Sequence, residues 1–167
     1  MSNLVIYSSK YGSTKDYAHE LAKKLSWKAV PYRKANNNML NDAESIVLAS
    51  SVRMGKLTIA AWAKSKSAIL KDKCKAFVAV GGTESENQDY YVETVEKSVP
   101  FLSLKKEQIF GCGGRQVVSE MKGFDSFVFK MLDKMVKDPK EKEDIMGDKD
   151  HVDMALLDPI VKYIKQN

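Results

Sequence analysis

Seven residues after a short apolar run read Ser8, Ser9, Lys10, Tyr11, Gly12, Ser13, Thr14. Hydroxyls, an ammonium and a glycine are crowded into one loop, and a helix-like stretch follows directly. A polar strand-to-helix turn can be a plain connector. It can also be an anion cradle, because free N–H groups at a helix N-terminus and the helix dipole both favour phosphate. Ser9, Ser13 and Thr14 would add hydroxyl donors, and Gly12 lets the backbone come close. The order GxxxxGK[ST] is absent, and so is GxGxxG; Gly111-Cys112-Gly113-Gly114 is only a glycine cluster at a strand end. A hydroxyl-lined loop with no metal-binding Asp downstream suits a terminal phosphate monoester better than a reacting triphosphate.

The elements that must position this loop can be read from periodicity. Leu4 to Tyr7 is continuously apolar, as a strand buried on both faces should be. Tyr17, Ala18, Leu21, Ala22 and Leu25 then share one helical stripe. Further strands are expected at Ala29–Tyr32, Ser45–Ala49, Lys75–Val80 and from Gln108 to Gly111, with helices over Thr58–Leu70 and Tyr90–Lys97 and a loop at Asn36–Asn38. Apolar strands alternating with helices, each strand followed by Gly, Ser or Thr, indicate an α/β fold with a doubly wound parallel sheet. Ligands of such sheets bind beyond the carboxyl ends of the strands, where the winding reverses. Three loops open there: the first one, the turn Ser50, Ser51, Val52, Arg53, Met54, Gly55 to Lys56, and the stretch from Gly81, Gly82, Thr83 and Glu84 to Tyr91.

After the fifth strand the pattern changes. Phe124, Phe127, Val128, Met131, Leu132, Met135 and Val136 form a broad apolar stripe, with Asp125, Lys130, Asp133 and Lys134 away from it. Pro139 and the charged run Lys140–Asp144 are expected to end that helix. A closing helix covers Pro159–Ile164 with Asp158 as its cap, or starts near Asp153 with Pro159 as a kink. The segment of about 115–150 is therefore an insertion into an otherwise complete domain spanning residues 1–167.

Composition bounds the function. The chain has 167 residues, 44% hydrophobic and 29% charged, with a net charge of +5, which is globular rather than disordered. Its basic residues are scattered, without RNP-like or zinc-finger spacing, so nucleic acid is not an expected partner. No apolar run approaches the ~18 residues of a membrane span. Met1 to Ser9 carries no basic and apolar leader pattern. With only Cys74 and Cys112, both in strand-like contexts, the expectation is a reduced, cytoplasmic protein.

Ser9-Lys10-Tyr11-Gly12-Ser13-Thr14 resembles the phosphate loop of flavodoxins, a hydroxyl residue followed by x-x-G-x-T. More narrowly, Tyr7–Thr14, the turn "ASSVRMGKL" and the Phe124 helix resemble the flavodoxin-like protoporphyrinogen oxidase group of bacteria. The resemblance implies a flavodoxin-like five-stranded sheet of order 2-1-3-4-5, with an extra helix inserted after strand five, and FMN as cofactor. It implies that Ser9 to Thr14 hold the phosphate, that Ser50 to Gly55 lie along one side of the isoalloxazine, and that Gly81 to Glu84 cover its other edge. Val52, Arg53 and Met54 stand where flavodoxins often place an aromatic ring, so Tyr90 or Tyr91 becomes the candidate to stack on the flavin. No residue is assigned as a general acid or base. The function implied is electron transfer or oxidoreduction through FMN. The alternatives are a protoporphyrinogen IX dehydrogenase passing electrons to a quinone, and a non-redox binding module on the same scaffold.

Several residues carry two readings. Arg53 can place its charge beside flavin N1 and O2, or be a solvated turn arginine. Cys112 is expected as a buried thiol rather than a redox group, and His19 and His151 as surface residues. The Phe124–Val136 stripe is most simply core. Its alternative is a docking face, through residues 124–136, for a quinone, a membrane surface or a redox partner protein.

Overall fold

The computed structural model describes residues 2–167. Strand β1 (Leu4–Ser8) lies at the centre of a sheet between β2 (Lys28–Pro31) and β3 (Ile46–Arg53), with β5 (Cys74–Gly81) and β6 (Ile109–Gly113) beyond β3. These five strands run parallel in the order β2-β1-β3-β5-β6, and the short β4 (Lys56–Leu57) adds antiparallel to the end of β3. Counting only the parallel strands, this is the 2-1-3-4-5 order expected for a doubly wound flavodoxin-like sheet. Winding reverses between β1 and β3, where Ser8 and Ser50 are partners in register.

Alternate side chains of each strand enter different layers, which is why the strands read as unbroken apolar runs. Leu4, Ile6, Ile46, Leu48 and Phe77 face a core with Leu40, Ile59, Leu70, Tyr91 and Val95. Val5, Tyr7, Val47, Val78 and Val80 face the opposite core, built with Tyr17, Leu21, Leu157 and Ile160. The first layer is closed by α2 (Asn37–Asp42), α3 (Ala60–Ser65), α4 (Ser67–Lys73) and α5 (Gln88–Ser98), the second by α1 (Ser13–Leu25) and α8 (Leu157–Gln166).

Four expectations are revised. Asn36–Asn38 is not a loop: Asn36 caps α2 by accepting from the Met39 N–H at 2.9 Å, and Lys73 Nζ donates to the Leu40 and Ala43 carbonyls at the other end. The helix expected over Thr58–Leu70 is two, α3 and α4, parted at Lys66. Pro139 and the charged run do not end a helix but form α7 (Pro139–Met146), with Asp138 as cap and Pro139 in its first turn, where the missing N–H costs nothing. The closing helix begins at Leu157, before Pro159, after a turn capped by Asp153. A proline this close to a helix start removes no intrahelical bond, so no kink is needed.

The inserted segment leaves β6 through β7 (Arg115–Gln116), forms α6 (Phe124–Met135) and α7, and returns through β8 (Lys149–Asp150), which pairs antiparallel with β7. The stripe expected in the core is largely outside it. Phe124, Phe127, Met131 and Met135 are exposed, and α6 lies over the carboxyl end of the sheet instead of on either layer. No helix among the described residues is long and apolar enough to cross a membrane.

Candidate functional site

The first loop is set by its register with the sheet. β1 ends at Ser8 and α1 begins at Ser13, so Ser9 to Gly12 alone must turn the chain back over the strand ends. Gly12 makes that turn at φ 102°, a conformation few side-chain-bearing residues adopt, and a Cβ there would point into open space. The Ser9 hydroxyl accepts from the Gly12 N–H at 3.2 Å and fixes the loop. Intrahelical bonding starts with the Asp16 N–H on the Gly12 carbonyl. The N–H groups of Ser13, Thr14 and Lys15 have no acceptor among the described residues, and they carry the positive end of the α1 dipole.

The second loop is tighter than a simple polar turn. Beyond the parallel sheet β3 continues and folds back on β4 as a hairpin, pairing Val52 with Leu57 and Arg53 with Lys56. Met54 and Gly55 form its two-residue connection with φ of 50° and 70°, the positive pair of a type I′ turn. The hairpin fixes Arg53 at the crevice mouth, its guanidinium 5.9 Å from the Phe124 ring centroid.

A cavity of about 180 Å³ opens between these loops. Of the residues singled out in the sequence, Tyr11, Ser13, Ser51, Val52, Arg53, Met54, Gly81 and Gly82 line it. Others are placed differently. Ser9 and Lys10 line a neighbouring open cleft with Tyr32, Arg33 and Thr58. Thr14 is buried, its hydroxyl 2.8 Å from that of Ser51, so it ties the first loop to the second. Ser50 is fully buried, and its hydroxyl accepts from the Ile59 N–H and lies 3.3 Å from Thr58 Oγ1. Gly55 sits in the hairpin turn. The Thr83 carbonyl accepts from the Tyr91 hydroxyl, and Glu84 lies on an outer cleft with Glu86, Asp150 and His151. Tyr91 does not present a ring to the cavity. It is fully buried under β6, where Gly111 leaves it room.

The inserted segment supplies the residues the sequence reading missed: Arg115, Gln116, Val117, Met121, Asp125 and Phe129 all line the cavity. Asp125 binds both other walls. Its carboxylate receives Lys10 Nζ, the Tyr11 hydroxyl at 2.5 Å and both Nε and a terminal nitrogen of Arg53. Burial alone would push that carboxyl up, but the bonds from Lys10, Tyr11 and Arg53 outweigh it and hold it below the usual carboxylate range. Burial, and then the bond to Asp125, push the Tyr11 hydroxyl up. The available signal was an acid in the first turn of an amphipathic helix, directly after Gly123 and Phe124. Its partners lie too far away in sequence to be seen.

The site is thus a crevice with the free N–H donors of α1 at one side, Arg53 and Arg115 in its lining, apolar walls at Val52, Val117 and Phe129, and a roof of α6. It can take an anion joined to a flat apolar body.

Residues 4–143 match a family model described as a flavodoxin domain. No curated protein matches the chain. Among solved structures, a flavodoxin, WrbA-like protein from Agrobacterium tumefaciens is 19% identical over 75% of this chain and 88% of its own, with a TM-score of 0.47. Oxidised flavodoxin 2 from Bacillus cereus is 16% identical over 68% and 84%, with a TM-score of 0.44. A flavodoxin from the domain Archaea is 18% identical over 59% and 76%, with a TM-score of 0.44.

Proposed function

The chain belongs to the flavodoxin domain family and is an FMN-binding electron-transfer flavoprotein; on that footing we propose that it holds FMN in the crevice between β1 and β3 and exchanges electrons with a redox partner at the crevice mouth. The observation that carries the placement is the unbonded first turn of α1, turned by Gly12, with its first residue Ser13 in the cavity lining. A phosphate monoester suits that turn, and the space beside Gly12 is open to it. The N–H groups of Ser13, Thr14 and Lys15, with the Ser9 and Ser13 hydroxyls, would hold the phosphate. Ser51 to Met54 would flank the ring on one side, and Gly81 and Gly82 on the other.

When bound, FMN supplies the one- and two-electron chemistry. The chain's own residues do the rest. Val52, Val117, Met121 and Phe129 exclude water from the apolar body of the ligand. Lys10 and Arg53 bring positive charge to the anionic part, tempered by Asp125. The test is whether the purified protein carries a flavin that is released as FMN on denaturation. A colourless protein that cannot be reconstituted with FMN would sink the reading.

A second, narrower reading is favoured by the apolar rim. Met54, Phe124, Phe127, Met131 and Met135 are all exposed, on the hairpin and helix that frame the crevice. Such a rim suits an apolar electron acceptor or a membrane surface better than a purely charged docking face. It fits a protoporphyrinogen dehydrogenase that passes electrons to a quinone. Holo-protein would then oxidise a porphyrinogen with menadione as acceptor, and making the Phe124, Phe127, Met131 and Met135 face polar would abolish that turnover without releasing FMN. Absence of turnover in the unaltered holo-protein would leave the carrier alone.

A further inference from the structure

The inserted segment is attached to the sheet in two places of different kind. Its base is the β7–β8 stalk, reinforced by Gln116 Nε2 donating to the Ile145 and Gly147 carbonyls at 3.3 and 3.1 Å and by the Val118 N–H on Asp148 at 2.8 Å. Its far end crosses the crevice, where Asp125 bonds to both walls and the Phe124 ring lies against the Arg53 guanidinium. Gly123, at φ 62° and ψ −128°, turns the chain so that the first turn of α6 descends on the crevice, with Asp125 8% exposed. There the carboxylate joins Lys10 and Tyr11 of the first loop to Arg53 of the hairpin, the opposite walls of the crevice.

Phe124, Phe127, Met131 and Met135 of α6 are exposed, and Phe129 is its apolar side chain in the crevice lining. The polar fastening of the roof is charge. Lys10 and Arg53, each about one-third exposed, are both occupied by the carboxylate of the roof itself. Charge-assisted bonds of this kind are strong when partly buried, and are lost together if the single shared partner is removed.

We propose that Asp125 is a latch that keeps the inserted helix closed over the cofactor crevice, so that FMN enters only when the carboxylate lets go of Lys10, Tyr11 and Arg53 and α6 swings out on the β7–β8 stalk. The identity of the entering ligand rests on the FMN reading above; the latch rests on the Asp125 contacts. A closed and an open arrangement differing by those bonds make entry depend on the open population.

The test uses the full-length apoprotein and its Asp125→Asn variant. Trypsin should cut the variant within the insert, at Lys122, Lys130 or Lys134, several-fold faster than the unaltered protein, while the melting of the remaining fold stays the same. Association of FMN and of riboflavin, followed by quenching of flavin fluorescence, should both accelerate several-fold. Riboflavin lacks the phosphate, so its acceleration separates an opened roof from stronger attraction of an anion to two freed cations. Unchanged tryptic cleavage, or acceleration confined to FMN, overturns the proposal. Should Asp125→Asn not fold, Tyr11→Phe removes one of the latch bonds and must shift cleavage in the same direction. If neither flavin binds any of the proteins, the cofactor reading fails and the tryptic comparison alone decides the latch.

Discussion

The Tyr11 hydroxyl donates to Oδ2 of Asp125 at 2.5 Å across 114 residues of sequence, and so ties the loop that opens the chain to the helix inserted near its end. Lys10 and Arg53 meet the same carboxylate. With its pKa held below the ordinary value, Asp125 contributes stability that is complete above the unfolded carboxylate's pKa and is lost as pH falls through the folded one. The protection of α6 amides against exchange, taken relative to the unfolded rate at each pH, should therefore hold through the ordinary carboxylate range and fall at lower pH. In Asp125→Asn that acid step should vanish, with α6 exchanging fast throughout. An acid step that persists without the carboxylate would assign it to another group.

Tyr17 holds the route by which the chain leaves the insert. Its hydroxyl donates to the Gly113 carbonyl at 2.7 Å and accepts from the Asp153 N–H at 2.9 Å, joining α1, the end of β6 and the approach to α8. Burial pushes this hydroxyl's pKa up to about 12, so it stays protonated at any ordinary pH. Tyr17→Phe leaves two backbone groups short of a partner and should destabilise the fold by about 1–3 kcal/mol in denaturant unfolding. A change within error would mean water replaces the hydroxyl at no cost.

The glycine cluster at the end of β6 has a packing role. A Cβ on Gly111 would lie 2.1 Å from Cδ2 of the fully buried Tyr91 ring, which has nowhere to retreat. Gly111→Ala should lower the melting temperature markedly, at a cost of about 1–3 kcal/mol or more. Adding Tyr91→Leu, which shortens the side chain, should recover part of that loss. Failure of any recovery would show that the strain lies elsewhere.

The sheet was legible because its signals are local. β1, β3 and β5 carry unbroken apolar runs at residues 4–7, 46–49 and 76–80, and Ser, Gly or Thr follows each. Half of the crevice followed from the same signals, since Tyr11, Ser13, Arg53 and Gly81 all sit where strands end. The other half depends on how α6 is aimed, and that is set by Gly123 and by ion pairs to residues about seventy and more than a hundred positions earlier. Helical periodicity identifies a stripe but not what covers it. The same Phe and Met pattern that reads as core is here the outer face of a roof.

Cys112 and Cys74 should be chemically silent. Both are buried, and burial pushes each thiol up to about 12, far from the thiolate that alkylation requires. Native protein at neutral pH should react with iodoacetamide far more slowly than unfolded protein does. Rapid modification of Cys112 in the native state would point to opening of the β6 end on the labelling timescale.

What the first loop holds decides the place of the cofactor. Equilibrium titration of apoprotein with FMN should give a stoichiometry of one per chain, and Gly12→Val should weaken binding sharply, because a β-branched residue resists the left-handed backbone that aims the α1 amides. Full FMN affinity in Gly12→Val, in a protein of unchanged melting temperature, would contradict the placement of the phosphate on that loop.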